Sequence, residues 1–186
     1  VGAAGVDEGA AERGAAGSDE EVGAAGVGGG WGFERGGDVG TRLGQGTEAG
    51  VTISGVYETV LYGENLEAMH EFYGGVLGLR HVGEGSERGR AFRVGAAGTG
   101  GHVLLVFRAS LTRREHAQVP SHGAEGAGHV ALRVEGGTLG SWRERLVSAG
   151  IAVEREVVWP IGGRSIYVRD PAGNSVELVE GEVWPA

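Results

Sequence analysis

"RSIYVRDPAGNSVELVE", Arg164–Glu180, is the stretch on which the fold turns. Pro171–Asn174 reads as a tight turn. The runs on either side of it, Arg164–Asp170 and Asn174–Glu180, read as strands. In the second of these, Val176 and Leu178 would face one way, and Ser175, Glu177 and Val179 the other. The strand therefore looks half buried, yet it carries a carboxylate at its middle.

Upstream, the same half of the chain supplies a further strand and a helix. "GHVALRVE", Gly128–Glu135, alternates as a strand does. "TLGSWRERLVSAG", Thr138–Gly150, places Leu139, Trp142, Leu146 and Val147 on one helical face and ends on Gly150. "IAVEREVVW", Ile151–Trp159, is another strand. The order is β-α-β-β-β. An earlier stretch repeats it. "SGVYETVLY", Ser54–Tyr62, is an alternating strand, and "ENLEAMHEFYGGVLGL", Glu64–Leu79, is an amphipathic helix on Leu66, Met69, Phe72, Tyr73 and Val76. Gly74-Gly75 weakens its last turn. Strands are expected at Arg80–Val82, Arg90–Val94 and His102–Arg108. The polar segment between the halves, 109–127, reads as a linker. The fold class expected is α+β, with one module over about 54–108 and a second over 128–180.

Residues 1–50 differ from the rest. They hold 17 of the 40 Gly, and nine acidic residues against Arg13, Arg35 and Arg42, so they carry −6 of the net charge of −9. "VGAAGV" occurs at Val1–Val6 and again at Val22–Val27. With so little to bury, this segment is expected to be a disordered tail, and 51–186 a single domain. The chain has no cysteine. That excludes a disulfide framework, a thiolate zinc site and a cysteine nucleophile. An acidic chain without a basic cluster argues against nucleic acid as a partner. No stretch is long and apolar enough to span a membrane, and the N-terminus lacks the pattern of a secretory signal, so a soluble, cytoplasmic protein is expected.

Each module must cover one sheet face with its helix, which leaves the other face for a cleft. Alternation puts Val56, Glu58, Val60 and Tyr62 on one face of the first strand. It puts His129, Ala131 and Arg133 opposite Val130, Leu132 and Val134 in the strand that opens the second module. If the apolar sets meet the helices, Glu58, His129 and Glu177 all face the cleft. One imidazole and two carboxylates suit a hard or borderline divalent cation: Mn, Fe, Co, Ni, Mg or Zn. The three are 71 and 48 positions apart, so no local metal motif carries this reading. Its plainer counterpart is a pair of solvated glutamates and a hydrogen-bonded structural histidine.

"ETVLYGENLEAMHEFYGGVLGLR", "GHVALRV" and "GGRSIYVRDPAGNSVELVE" together resemble the vicinal oxygen chelate superfamily, which includes glyoxalase I, extradiol dioxygenases and fosfomycin- and bleomycin-resistance proteins. The likeness covers 54–180 and none of 1–50. It implies two βαβββ modules forming an open, partly closed barrel around a divalent ion. It also implies ligands on the first strand of each module and the last strand of the second. Those positions fall on Glu58, His129 and Glu177. The set of two carboxylates and one histidine disfavours the extradiol dioxygenases, which use two histidines and one glutamate. The fourth ligand of glyoxalase I falls on Leu105, which has no donor. Ser165 and Tyr167 match the serine and tyrosine that hold the phosphonate in fosfomycin thiol transferases, but Val157 and the chain end stand where a lysine and an arginine complete that site.

The resemblance thus implies a metal-dependent enzyme acting on a small oxygen-chelating substrate, of lyase, isomerase or thiol-transfer type. Glu58 or Glu177 would serve as ligand or as base, and Ser165, Tyr167 and Arg133 would bind substrate. Arg133 has a plainer reading too, an ion pair at the rim. The same fold also serves metal-free drug-binding proteins of the bleomycin-resistance kind. Family members commonly form homodimers, with sites completed across the interface.

Overall fold

A computed structural model of the chain describes residues 53–95, 101–115 and 118–185. The segment 1–50, expected to be a disordered tail, lies outside the described residues. Module one consists of β1 (Glu58–Tyr62), α1 (Leu66–His70) with a π-helical continuation over Glu71–Val76, β2 (Arg80–His81), β3 (Gly89–Arg93) and β4 (Val103–Phe107). Module two has β5 (His129–Arg133), α3 (Leu139–Ser148), β6 (Val153–Val158), β7 (Arg164–Arg169) and β8 (Ser175–Glu180), after a short helix α2 (Ala109–Thr112) in the expected linker. The sheets are ordered β1-β4-β3-β2 and β5-β8-β7-β6. In each, the first strand pairs parallel with the last, and the remaining pairings are antiparallel. The expected pair of βαβββ modules is therefore present, as two separate mixed sheets rather than one closed barrel.

Three boundaries differ from the sequence reading. The ladder of the first strand begins at Glu58, and Ser54–Tyr57 is exposed outside it. The first helix is α-helical only to His70. Beyond it the helix widens, and the Leu77 N–H donates to the Phe72 carbonyl at 2.9 Å, five residues back. Gly74 and Gly75 put no side chains in the way of the wider turn, which keeps both Phe72 and Tyr73 buried. Arg145 of α3 then satisfies the freed carbonyls, donating from Nε to Val76 O at 2.6 Å and from Nη2 to Gly75 O at 3.2 Å. The third difference is α2, which anchors the linker by burying Thr112.

One hydrophobic core serves both modules. Met69, Phe72 and Tyr73 from the first helix meet Phe92, Leu104 and Val106 of their sheet, and Leu139 and Leu146 meet Ile166, Val168, Val176 and Leu178 of the other. The Asp170–Asn174 turn ties the halves together. Asp170, 4% exposed, accepts from the Ala172 and Asn174 backbone N–H groups, both at 2.9 Å, on Oδ1. Its Oδ2 accepts from the Asn174 amide and from the Tyr73 hydroxyl of module one, both at 2.8 Å. The Asn174 side chain also donates to Tyr62 O at 3.0 Å and accepts from Gly128 N at 2.7 Å. Gly173 sits at φ +84°, where a Cβ would be strained.

After β8 the chain folds back on the β6–β7 turn. A Cβ on Gly163 would lie 2.2 Å from the Glu182 carbonyl oxygen. Backbone must move to admit it, so Gly163→Ala should lower stability by about 1–3 kcal/mol, read from the urea midpoint. Among the described residues no helix is long and apolar enough to cross a membrane.

Candidate functional site

The strand registers reveal an internal repeat that locates the site. In module one Glu58 pairs with Val103, and two residues on, Val60 pairs with Leu105. In module two His129 pairs with Ser175, and Ala131 pairs with Glu177. Glu58 therefore corresponds to His129, and Leu105 to Glu177. Their neighbours Leu104 and Val106, and Val176 and Leu178, are buried toward the helices, so all four positions belong to the open sheet faces. Three of the four carry side chains that bind divalent cations, and the fourth, Leu105, cannot.

Module two brings most of its candidates together. The His129 Nδ1 lies 3.2 Å from the Ser175 carbonyl oxygen. A carbonyl only accepts, so Nδ1 carries a hydrogen, and in the neutral ring Nε2 is the nitrogen with the lone pair. That Nε2 faces Glu177 Oε2 at 3.5 Å. With the ring neutral, a nitrogen and an oxygen donor stand side by side there, an arrangement that can hold a cation. Glu177 is 6% exposed. The strand expected to be half buried is thus buried on both faces, since Val176, Glu177, Leu178 and Val179 are all inside. The other carboxylate oxygen, Oε1, accepts a very short hydrogen bond from the Ser165 hydroxyl. Ser165 in turn accepts from Trp159 Nε1 at 2.8 Å. The indole–hydroxyl–carboxylate chain holds Glu177 in one rotamer and leaves Oε2 for other use.

Tyr167 completes the group. It is the cross-strand partner of Glu177, and its ring stacks on His129 with centroids 6.3 Å apart. Burial, aided by the neighbouring Glu177 carboxylate, pushes its hydroxyl up to about 12. It therefore stays protonated through the neutral range and serves as a hydrogen-bond donor.

Two candidates stand apart. Glu58 is exposed on the edge strand β1, and no group of three metal-ligating side chains forms among the described residues. Within one chain, then, Glu58 does not join His129 and Glu177. Arg133 is paired at the rim, with Glu182 oxygens at 2.9 and 3.2 Å from its guanidinium. Glu182 is held below the usual carboxylate range by that pairing. Of the two readings of Arg133, the ion pair at the rim is the one present in the fold.

Sequence reasoning missed Arg155. It is the cross-strand partner of Tyr167, and it borders a cavity of about 410 Å³ together with Val157, Trp159 and Tyr167. Alternation alone would have misassigned its neighbours, because a register shift between Val153 and Arg155 interrupts the period.

An open-faced pair of βαβββ modules with a histidine–carboxylate couple on the second defines a recognisable class. Residues 55–178 match the Glyoxalase/Bleomycin resistance protein/Dioxygenase superfamily, and the chain belongs to that family. Among solved structures it is similar to lactoylglutathione lyase from Agrobacterium tumefaciens, with 36% identity, a TM-score of 0.65, and coverage of 72% of this chain and 98% of that one. It is also similar in fold to a glyoxalase/dioxygenase from Nostoc punctiforme (20% identity, TM-score 0.53, 78% and 99% coverage). A fosfomycin resistance protein, FosX, from Listeria monocytogenes shares the fold too (21% identity, TM-score 0.51, 71% and 97% coverage). A search of curated proteins found no match.

Proposed function

We propose that the chain is a divalent-metal-dependent enzyme of lyase or isomerase type, acting on a small substrate that offers two oxygens to the metal. One observation carries this reading: a buried carboxylate oxygen 3.5 Å from an imidazole nitrogen whose other nitrogen is committed to a carbonyl. A buried carboxylate oxygen beside an imidazole nitrogen is a pair of donors that a divalent cation would join. The donor set, one nitrogen and carboxylate oxygens, suits Mn, Fe, Co, Ni or Zn better than a thiophilic ion. His129 and Glu177 would hold the ion, with Glu58 as third ligand. When bound, it would supply the positive charge that stabilises an oxyanion developing on the substrate.

The chain's own residues would do the rest. Ser165 and Trp159 orient Glu177. Tyr167 donates a hydrogen bond to a substrate oxygen. Glu58, exposed and free to move, is the better placed of the two carboxylates to accept a proton from substrate carbon. The third ligand comes from a second copy, and the active form is a homodimer. Glu58 follows an exposed apolar run, with Ile53 96%, Val56 63% and Tyr57 80% exposed, a surface that a partner would cover. The resemblance to lactoylglutathione lyase favours lyase chemistry over oxygen activation.

The test is elemental analysis of protein purified without chelator, beside Glu177→Ala. Close to one metal per site is expected in the parent, falling by at least about tenfold in the variant. No metal in either, even after loading with Mn, Ni, Zn or Fe(II), would overturn the proposal and leave a metal-free binding protein.

A further inference from the structure

Across the open face of the second sheet runs one row of paired residues. Ala131 of β5 pairs with Glu177 of β8, Glu177 with Tyr167 of β7, and Tyr167 with Arg155 of β6. Directly paired residues point to the same face, so Arg155 stands two strands from the histidine–carboxylate couple, roughly 10 Å away between Cα atoms. It borders the 410 Å³ cavity, whose wall includes Val157 and Trp159.

The other cations near this face are already occupied. Arg169 grips Glu154 with both ends of its fork, Nε to Oε2 at 2.7 Å and Nη2 to Oε1 at 3.0 Å. Arg133 is taken by Glu182. Arg155 makes no hydrogen bond or ion pair among the described residues. At the cavity rim two guanidinium groups stand against one carboxylate, Glu154, and the unmatched charge is that of Arg155. Such a local excess stands out in a chain of net charge −9, which otherwise repels anions.

We propose that Arg155 is the anchor for an oxyanion, a carboxylate or phosphonate, at the end of the substrate distant from the reacting oxygens. The guanidinium fork matches either group with two parallel hydrogen bonds. Val157 and the Trp159 ring take the apolar spacer between the two ends. The substrate class is then an acid whose anionic group lies several bonds from its chelating oxygens. This rests on the reading of the open face as the reaction site, but not on the metal.

The test titrates full-length protein with benzoate, phenylphosphonate and their neutral counterpart benzamide by calorimetry, first stripped of metal with chelator and then loaded with Ni(II) or Mn(II). Arg155→Gln is compared with Arg133→Gln, and urea midpoints verify that both are folded. At least one of the two anions should bind the parent tenfold or more tightly than benzamide, and the tighter of the two names the group. Arg155→Gln should abolish the preference, and Arg133→Gln should leave it within about twofold. Equal binding of anions and benzamide to the parent, or an undiminished preference in folded Arg155→Gln, overturns the proposal. A preference that survives in the stripped protein while no metal is ever taken up sinks the enzyme reading alone. Metal uptake without an anion preference sinks the anchor alone.

Discussion

A heterodimer of one Glu58→Ala chain and one Glu177→Ala chain should hold about half the metal of the parent, although each variant alone holds almost none. The reason is geometric. His129 and Glu177 lie together in module two, whereas Glu58 is exposed on the edge strand of module one and joins no three-residue cluster within the described residues. If a second copy supplies Glu58, the heterodimer contains one site that keeps all three ligands and one that has lost both carboxylates. Removal of a single carboxylate should weaken binding by about 100-fold or more, since even the partners that merely orient ligands are worth 10–100-fold. The two variants would be co-expressed with different tags and purified through both, and metal measured per chain. A heterodimer as empty as its parents would show that each site is built within one chain. Full metal in Glu58→Ala alone would remove Glu58 from the ligand set.

How far this was legible from the sequence follows from the physics of each element. The alternation of β5 and β8 is strict, and it put His129 and Glu177 on a common open face; the observed registers agree. The second helix, with its apolar stripe and Gly150 stop, runs over Leu139–Ser148 within the expected Thr138–Gly150. Alternation reports a face, however, and not a distance. It placed Glu58 correctly on the open face of its own sheet but carried no information on what that face meets. It also took Glu177 for one residue on a half-buried strand. Burial of the second face depends on Trp159 and Tyr167 arriving from β6 and β7, a long-range event that no local period encodes. Arg155 was hidden for a related reason, since its face depends on a bulge. The widened helix at Gly74-Gly75 was signalled only as weakness, because two glycines permit a π-turn without requiring one.

Asp170→Ala should be among the most destabilising single changes in the chain, lowering unfolding free energy by roughly 3–5 kcal/mol in urea titrations. Asp170 is 4% exposed and accepts four hydrogen bonds, three from its own turn and one from Tyr73 across the module boundary. Its removal strands a buried phenol and a buried amide, and the same Asn174 amide helps hold β1 and β5 through Tyr62 O and Gly128 N. Tyr73→Phe is the milder probe, at about 1–2 kcal/mol, because Asp170 keeps three of its four donors. The two variants also differ from the parent in alkali. Burial first, and the adjacent Asp170 carboxylate second, push the Tyr73 hydroxyl well above its ordinary value near 10. Below about pH 10 the phenol is protonated in both folded and unfolded chains, and its contribution is complete. As pH rises further, the unfolded chain gives up a proton that the native state retains, so stability falls until the native phenol itself ionises. Tyr167, also raised, shares in this slope. The difference between parent and Tyr73→Phe isolates the part that belongs to Tyr73: above pH 10 the variant should lose stability less steeply. Parallel pH profiles would mean that the phenol is not held in its neutral form by the module junction.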